Sequence, residues 1–509
     1  MDGWAFGKKR REATALGSAG IAPAGKASEA LRARRSPGSR ASRLSNDQTL
    51  DQTLERGPAP RRSRILAVHV HGKSGTRGAI MTARSALPPI LILFAASVSA
   101  CGVAQAAPDF QALVERHAPR AVEDRRYLHA HPELSLRELE TQRFLRDALL
   151  EIPGIELVDG DWGTGLVAIL PGRNARPLVA YRADMDALPM TEATGLPYAS
   201  TRTDTLGGGT VGVMHACGHD IHMTVLLGAA RVLSEARSEM AGTALFILQP
   251  AEEIGAGAAS MIAAGIFDGD RRPDAIFALH DQPAVLCGQV GYRPGRSSAN
   301  VDDFKIRVLG RGGHGAYPHR AIDPVVIAAE TILALQTVVS REIDAARQAV
   351  VTVAAVHGGT SSNVIPEEVE LRGTARSLEP DVREQIKTAV IRTVRGIAAA
   401  HGAPEPEVLY SFGTPSGYNN PALVDETLPT IIRVMGQENV ILAESGMGGE
   451  DFAYFQAEIP GFMFRLGVGR PDRTMAVHNP AFDPDESAIP IGIRLVSEIL
   501  WDYMARHAE

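Results

Sequence analysis

The sequence contains the stretch Gly242-Thr243-Ala244-Leu245-Phe246-Ile247-Leu248-Gln249, which is followed by Pro250-Ala251-Glu252-Glu253. An apolar run of this length, closed by a proline, is typical of a strand that is buried on both faces. Similar runs recur along the chain, and segments with apolar residues at helical spacing lie between them. The strand-like runs are 165–170, 177–182, 242–249 and 274–279, and the helix-like segments are 109–128, 136–150, 223–238 and 256–264. This pattern predicts an α/β domain with a mixed sheet flanked by helices.

A second pattern begins after a link rich in glycine and serine at residues 295–299. Its predicted elements follow the order strand, helix, strand, strand, helix, strand, which is the order of a ferredoxin-like unit. They are 302–309, 323–340, 349–356, 367–376, 381–401 and 405–409. The first pattern resumes at residue 414. We therefore expect a domain formed by 108–296 and 412–509, with a smaller α+β domain inserted at 297–411.

The composition excludes several classes of protein. Of the 509 residues, 45% are hydrophobic and 22% are charged, which is enough apolar material for a core. A mean hydropathy of −0.04 excludes a polytopic membrane protein. Three cysteines are too few for a disulfide framework in a chain of this length. Residues 1–80 hold 16 basic and 6 acidic residues, whereas 81–509 hold 36 and 53, so the body of the protein is a poor non-specific binder of nucleic acid.

Residues 1–80 show no lasting periodicity and predict a disordered segment. Two interpretations stay open: a nucleic-acid-binding arm, or upstream sequence wrongly joined to the gene. The second is favoured by a short basic region after Met81 and an apolar run at 90–98, which together are typical of a secretory signal peptide over 81–107. We therefore expect Met81 to be the true start and nucleic acid not to be a partner.

Two cleavage signals compete at the end of this segment. Val98-Ser99-Ala100-Cys101 resembles a bacterial lipoprotein box, in which the cysteine is lipidated after cleavage, whereas Ala104-Gln105-Ala106 is an ordinary cleavage site. We expect an exported protein that is either soluble in the bacterial periplasm or anchored to the envelope by a lipid on Cys101.

Residue types that bind metals cluster at the ends of predicted strands, where sites of open α/β sheets lie. The clusters are His215-Ala216-Cys217-Gly218-His219-Asp220, Glu252-Glu253, His280 and His478. Thiolate, imidazole and carboxylate together suit Zn, Co, Ni or Mn. Two such ions can share a thiolate, and of two adjacent glutamates one can bind metal while the other acts as general base. Asp184 and Asp186 can orient the histidines from behind.

Each of these residues alone also has an ordinary explanation. An isolated histidine is commonly a hydrogen-bonded structural residue, and adjacent glutamates commonly lie at a solvated edge. A single cysteine in an apolar stretch usually packs in the core, which is the interpretation we favour for Cys287. The clustering of all these types at strand ends favours a metal site over packing.

The clusters resemble those of the aminoacylase and carboxypeptidase type of metallohydrolase, peptidase family M20. The resemblance is closest to the amidohydrolase branch, which includes hippurate hydrolases, N-acyl-L-amino acid amidohydrolases and auxin-conjugate hydrolases. The motifs occur in order and cover nearly all of 108–509. They are Leu128-His129-Ala130-His131-Pro132-Glu133-Leu134-Ser135, Arg182-Ala183-Asp184-Met185-Asp186-Ala187-Leu188-Pro189, Met447-Gly448-Gly449-Glu450-Asp451-Phe452, and the stretches 215–220, 249–253, 310–319, 362–366, 478–480 and 482–483.

The resemblance implies two divalent metal ions per subunit, Zn²⁺ or Mn²⁺, with Co²⁺ or Ni²⁺ as alternatives. It implies that Glu252 is the general base and later protonates the leaving amine. His314, on the inserted domain, would reach the active site of the partner subunit in a homodimer and stabilise the oxyanion. Asn363 and Arg376 would hold the substrate carboxylate, a task that suits the guanidinium group. The implied metal ligands are Cys217, His219, Glu253, His280 and His478, with Cys217 bridging the two ions.

The chain departs from the family pattern after His280. It has Asp281-Gln282-Pro283, where relatives usually have an apolar and an aromatic residue before the proline. This places a carboxylate beside an implied metal ligand, so we expect the metal preference or the fit of the substrate to differ.

The sequence therefore predicts a metal-dependent amidohydrolase that cleaves N-acyl-L-amino acids, with an aryl-acyl or acetyl group on the amine. The products would be a carboxylic acid and a free amino acid. Two alternatives remain. The same dinuclear site would serve a dipeptidase or carboxypeptidase, and a non-catalytic homologue would bind a small molecule without turning it over.

Overall fold

The computed structural model describes residues 107–508. The expectations for segment 1–80, for the signal peptide and for a lipid on Cys101 fall on residues outside this range. The helices of the described part are α1 (Phe110–Ala130), α2 (Leu139–Leu150), α3 (His219–Ala236), α4 (Gly257–Ala263), α5 (Pro324–Thr337), α6 (Pro380–Ala400), α7 (Pro421–Met435), α8 (Phe452–Glu458) and α9 (Ala488–His507). The strands are β1 (Glu156–Leu157), β2 (Leu166–Pro171), β3 (Leu178–Asp184), β4 (Thr203–Leu206), β5 (Gly209–Gly212), β6 (Thr243–Gln249), β7 (Ala275–Leu286), β8 (Val290–Tyr292), β9 (Gly295–Arg296), β10 (Asn300–Leu309), β11 (Gly313–His314), β12 (Ala349–His357), β13 (Val364–Ile365), β14 (Glu368–Ser377), β15 (Glu407–Phe412), β16 (Tyr418–Asn419), β17 (Val440–Leu442) and β18 (Gly461–Gly469).

Eight strands of the described residues form one mixed sheet in the order β1-β2-β6-β3-β7-β18-β8-β17. Its centre is parallel, from β6 through β3 and β7 to β18, while β2 runs antiparallel to β6. Every residue of β3 and β6 is buried, as expected for central strands with both faces covered. The predicted fold class, a mixed sheet flanked by helices, is confirmed.

Helices cover both faces of this sheet. Neighbouring residues of β3 point to opposite faces of the sheet and so belong to different helical layers. Tyr181 packs with α1, α3 and α9, whereas Ala180 packs with α4 and α8. This alternation follows from the period of two in a strand. The carboxyl ends of β3, β6 and β7 consequently meet at one edge between the two helical layers, and the predicted site residues follow these strands.

A second sheet has the order β12-β14-β10-β15, and each neighbouring pair is antiparallel. With α5 between β10 and β12, and α6 between β14 and β15, this is the strand order of a ferredoxin-like unit. Its core includes Phe304, Leu371 and Ile386. The described residues form one compact unit. The domain boundaries at 296/297 and 411/412, and the roles of this segment as lid and dimerisation domain, stay predictions.

Two elements extend beyond their predicted bounds. Helix α3 begins at His219 rather than at 223, because its first turn follows Gly218 in a left-handed conformation instead of a polar capping residue. Strand β7 continues to Leu286, although the apolar run ends at 279. Its polar continuation pairs with β18, where Gly467 lets the backbones approach each other. The pairing holds Asp281 inside the sheet.

Candidate metal centre

A cavity of about 810 Å³ opens at the carboxyl edge of the large sheet and faces the second sheet. The large sheet and its loops contribute Cys217, Glu252, Glu253 and His280 to its wall. The second sheet contributes Arg376 of β14 from the opposite side. The other polar side chains that line it are Asp281, Gln282, Ser298, Asp303, Thr414, Glu450, Asp451, Arg465 and His478. The cavity therefore has the size and polarity of a site for a small polar ligand.

Five metal-binding side chains converge at one end of this cavity. The Sγ of Cys217 lies 3.3 Å from His478 Nε2 and 3.6 Å from His280 Nε2. Glu253 completes the group, with one oxygen 3.4 Å from His478 Nε2 and the other 3.9 Å from His219 Nε2. The structure thus brings together Cys217, His219, Glu253, His280 and His478, the residues that the sequence singled out. Their assignment as ligands stays a prediction.

Backbone carbonyl groups orient two of the imidazoles. His219 Nδ1 donates to the carbonyl of Asp186 at 2.8 Å, and His280 Nδ1 donates to the carbonyl of Asp281 at 2.7 Å. A proton on Nδ1 leaves Nε2 as the free acceptor. Both rings therefore point Nε2 at the cluster, where the neutral imidazole can bind a metal.

Asp186 also positions the glutamate pair. Its carboxylate accepts hydrogen bonds from the backbone N–H groups of Glu252 and Glu253, each at 3.1 Å, and from the Ser135 hydroxyl at 2.6 Å. These bonds lock the loop that follows β6. The role of Asp186 in orienting a metal-binding histidine stays a prediction.

The cluster has unsatisfied atoms that a cation would satisfy. His219 Nε2 and Glu253 Oε1 are buried and have no hydrogen-bond partner among residues 107–508. Buried polar atoms are nearly always partnered, so two such atoms side by side indicate a missing ligand. A borderline-soft divalent ion suits this mixture of sulfur, nitrogen and oxygen donors. The residues present therefore fit a metal.

Burial governs the protonation of the cluster. Burial raises the pKa of Glu253 to about 7 and lowers that of His280 to about 4, so the imidazole is neutral. Burial, together with the carboxylates of Glu450 and Asp451, raises the pKa of Glu252 well above its ordinary value. Burial likewise raises the pKa of the Cys217 thiol, so a thiolate at this position requires a nearby cation.

Two non-glycine residues at the site have a left-handed backbone. Ala251, directly before the glutamate pair, has φ 54°, and His478 has φ 57°. Such conformations cost free energy and persist where the surroundings enforce them, commonly at functional sites. Here the Ala251 N–H donates to Glu138 Oε1 at 2.9 Å, and the His478 N–H donates to the Ala216 carbonyl at 2.7 Å.

Behind the cluster lies a buried His222 that the sequence analysis did not single out. Its Nδ1 donates to Asp184 Oδ1 at 2.6 Å, and its Nε2 lies 3.0 Å from Asp281 Oδ1. Both ring nitrogens of His222 are therefore engaged, whereas Asp281 Oδ2 is buried without a hydrogen-bond partner among residues 107–508. His222 follows His219 by one helical turn, and that spacing was the available signal. Asp184 thus supports His222 by a direct bond, while its other oxygen lies 3.7 Å from His219 Nε2.

Arg182 holds the next layer of carboxylates. Its guanidinium donates to Asp184 at 2.7 Å, to Asp451 at 3.0 Å and to Gln249 at 2.8 Å, and it lies 3.1 Å from Glu450. All of these groups are buried. This network links the ends of β3 and β6 to the start of α8. Its charges can be buried because each of them has a partner of opposite charge.

Of the remaining predicted residues, only one lines the cavity. Arg376 lines the cavity, and its Nε donates to Thr374 Oγ1 at 3.0 Å. His314 and Asn363 do not line it. Both are exposed: His314 lies on β11, and Asn363 lies in the turn directly before β13, where its carbonyl accepts from the Gly315 N–H at 2.8 Å. The single chain therefore does not bring His314 to the metal cluster.

Comparisons with known proteins identify the family of the chain. Residues 180–502 match peptidase family M20/M25/M40. An N-acetylcysteine deacetylase of Bacillus subtilis is 40% identical over 381 residues, which are 75% of this chain and 96% of that protein. An N-acetyldiaminopimelate deacetylase of Listeria monocytogenes is 39% identical over 380 residues, 74% of this chain and 97% of that protein. A crystal structure of a dinuclear metal-binding M20 peptidase from Bacillus subtilis superimposes with a TM-score of 0.66 at 36% identity, covering 77% of this chain and 99% of its own.

The chain therefore belongs to peptidase family M20/M25/M40, and with it to the metal-dependent amidohydrolases. The predicted family is confirmed. Its site fits divalent metal ions, as the donor set and the dinuclear relative both indicate.

Proposed function

We propose that the protein hydrolyses the amide bond of N-acyl-L-amino acids. The observation that carries the proposal is the convergence of five metal-binding side chains with Glu252 at one end of a polar cavity. The similarity to two deacetylases of N-acetylated amino acids favours a small acyl group, with aryl-acyl substrates such as hippurate as the alternative.

Two divalent ions, Zn²⁺ or Mn²⁺, would be held by Cys217, His219, Glu253, His280 and His478. When bound, such ions polarise an amide carbonyl and lower the pKa of water. Cys217 Sγ lies between the imidazoles of His280 and His478, so its thiolate would be available to the ions that these residues would hold. Co²⁺ and Ni²⁺ suit the same donors.

Glu252 is proposed as the general base. It lines the cavity beside Glu253, and one of its oxygens lies 4.0 Å from His219 Nε2. In this position it takes the proton of the attacking water and returns it to the nitrogen of the departing amine. Asp186 fixes the backbone of the pair, so that Glu252 stays aimed into the cavity while Glu253 faces the metal cluster.

The substrate carboxylate would be held from the second sheet by Arg376, which can bind both oxygens of a carboxylate at once. His314 and Asn363 are proposed to act from the partner subunit of a homodimer, with His314 stabilising the oxyanion. The edge strand β12 and the exposed Val326 and Leu333 of α5 support such an interface, since an unpaired edge and an apolar face favour association.

The location is also a proposal. The signal-peptide pattern at 81–107 supports export to the bacterial periplasm, and Cys101 offers a lipid anchor to the envelope.

The test is hydrolysis of a substrate panel by purified protein, first stripped of metal by a chelator and then reloaded with Zn²⁺, Mn²⁺, Co²⁺ or Ni²⁺. The panel contains N-acetyl-L-amino acids, hippurate and simple dipeptides. We expect metal-dependent release of the free amino acid from the acyl substrates. Release from dipeptides alone would replace the proposal with a peptidase. No release from any substrate by metal-loaded protein would favour a binding protein.

A further inference from the structure

Arg465 is a cation in the wall of the cavity that the mechanism above does not use. It lies on β18 in register with His280 on the parallel strand β7. Partners in register on parallel strands project from the same face of the sheet. The side chain of Arg465 is therefore a direct neighbour of the metal cluster, and it lines the same cavity.

Among residues 107–508, no group makes a hydrogen bond or an ion pair with the guanidinium of Arg465. The other arginines of the catalytic domain interior differ in this respect. Arg182 contacts Asp184, Asp451 and Gln249, and Arg125 contacts Asp220, Tyr198 and Glu486. Charges removed from bulk water are normally paired. An unpaired guanidinium at a cavity wall therefore indicates that its partner enters through the cavity.

Each neighbouring carboxylate has one oxygen engaged elsewhere, while Asp281 Oδ2 and Glu450 Oε2 are buried without a hydrogen-bond partner among residues 107–508. Asp281 Oδ1 lies 3.0 Å from His222 Nε2. Glu450 Oε1 accepts from the Phe452 N–H at 2.9 Å and lies 3.1 Å from Arg182. Both carboxylates act on Arg465 through space and favour its charged form, in opposition to burial, which lowers the pKa of the guanidinium. Neither carboxylate accepts a hydrogen bond from the N–H groups of the Arg465 guanidinium.

Two guanidinium groups thus line the cavity, on opposite walls. Arg376 projects from the second sheet, and Arg465 projects from the large sheet beside the metal cluster. A substrate with a single carboxylate can satisfy only one of them. Because a planar guanidinium fits a carboxylate with two parallel hydrogen bonds, a second carboxylate is the matching group.

We infer that Arg465 binds a second carboxylate of the substrate, so that the enzyme prefers N-acyl-amino acids that carry two carboxylates. The inference rests on the proposed function and specifies its substrate class. The second carboxylate has two possible sources: the side chain of the amino acid, as in an N-acyl-glutamate, or the acyl group, as in an N-succinyl-amino acid. The two sources share the same chemistry at Arg465.

The experiment compares matched substrates on the metal-loaded protein. One pair is N-acetyl-L-glutamate and N-acetyl-L-glutamine, and the other is N-succinyl-L-alanine and N-butanoyl-L-alanine. The first pair differs in one charge at nearly constant shape, and the second pair replaces the terminal carboxylate by a methyl group. We expect kcat/KM to favour the charged member of one pair by about 10- to 100-fold, the usual contribution of a charge-assisted hydrogen bond. The pair that responds identifies the source.

Variants assign the preference to Arg465. Arg465→Met should abolish the preference by lowering kcat/KM for the charged member about 10- to 100-fold more than for the neutral member, since only the charged member uses the guanidinium. Arg465→Lys should retain part of the preference, because it keeps the charge and loses the fork. Arg116→Met, on the exposed face of α1, is the matched control and should change neither value.

The inference is overturned if neither pair shows a preference, or if Arg465→Met lowers kcat/KM for charged and neutral members equally. The second result would mean that Arg465 only balances Glu450 and Asp281. If the protein hydrolyses no substrate, the proposed function fails on its own. In that case calorimetric binding of the two pairs to wild type and Arg465→Met decides: charge-dependent binding lost in the variant supports the inference, and equal binding refutes it.

Discussion

The chemistry of the site depends first on how single imidazoles are held. The Nδ1 atoms of His219 and His280 both donate to backbone carbonyls, which fixes the tautomer without using a side chain. A backbone carbonyl cannot be removed by substitution, so the orientation is insensitive to most changes nearby. His222 differs, because its Nδ1 and Nε2 lie against the carboxylates of Asp184 and Asp281. It therefore holds these two side chains in place.

The different roles proposed for Glu252, as general base, and Glu253, as metal ligand, give a prediction at this scale. Glu252→Gln should lower kcat by about 10²- to 10⁴-fold, because it removes the proton acceptor while keeping the shape and the backbone hydrogen bond to Asp186. Its bound metal, measured by elemental analysis, should stay unchanged.

Glu253→Gln is the matched variant one residue further on. It should lose metal as well as activity, because its carboxylate faces His219 and His478 in the cluster. If Glu252→Gln lost metal and Glu253→Gln kept it, the two roles would have to be exchanged.

At the scale of elements, the start of α3 decides where His219 lies. Gly218 precedes the helix with φ 81°, and a side chain there would collide with the carboxylate of Asp281. The turn thus brings α3 against β7 and places Cys217 and His219 on either side of one glycine. Only glycine satisfies both the backbone angle and the close approach.

Gly218→Ala should therefore destabilise the fold by at least about 1–2 kcal/mol, the cost of a left-handed alanine, and should reduce metal content. Urea denaturation followed by circular dichroism measures the first effect. Gly396→Ala is the matched control: Gly396 lies within α6 with open space around it, and alanine should stabilise the helix by about 0.5–1 kcal/mol. A stable, metal-replete Gly218→Ala protein would contradict this account of the turn.

The central strands could be predicted from the sequence because each is a short apolar run with both faces buried. The end of β7 could not, because Asp281, Gln282 and Pro283 are not strand-forming residues. They continue the strand only through pairing with β18, which lies some 180 residues later in the chain. The same long-range register places Arg465 beside His280, so its position was equally inaccessible to local patterns.

At the scale of the whole molecule, the site residues split between the chain and its proposed partner. Four residues of the metal cluster, together with Glu252 and Arg376, line one cavity, and the fifth, His219, lies beside them. His314 on β11 and Asn363 directly before β13 lie together but away from that cavity. The family resemblance pointed to all of these residues, but it carries no information from this sequence on which subunit supplies each one.

Mixed dimers test the proposed exchange. His314→Ala and Glu252→Gln proteins should each be nearly inactive, with kcat lowered by about 10²- to 10³-fold for the loss of an oxyanion donor. A dimer with one chain of each kind should regain one working site, which combines Glu252 of one subunit with His314 of the other. Activity is measured after co-expression with two different tags and tandem purification. Mixed dimers without recovered activity would refute catalysis across subunits.

The central claim is that Cys217, His219, Glu253, His280 and His478 hold the metal ions of an amidohydrolase. Anomalous X-ray diffraction from crystals of the active, Zn²⁺-loaded protein tests it most directly. We predict two anomalous peaks among these five side chains, both within about 2.3 Å of Cys217 Sγ. An active crystal form with no peak in this cluster, or with its metal between Asp184, His222 and Asp281 instead, would contradict the account.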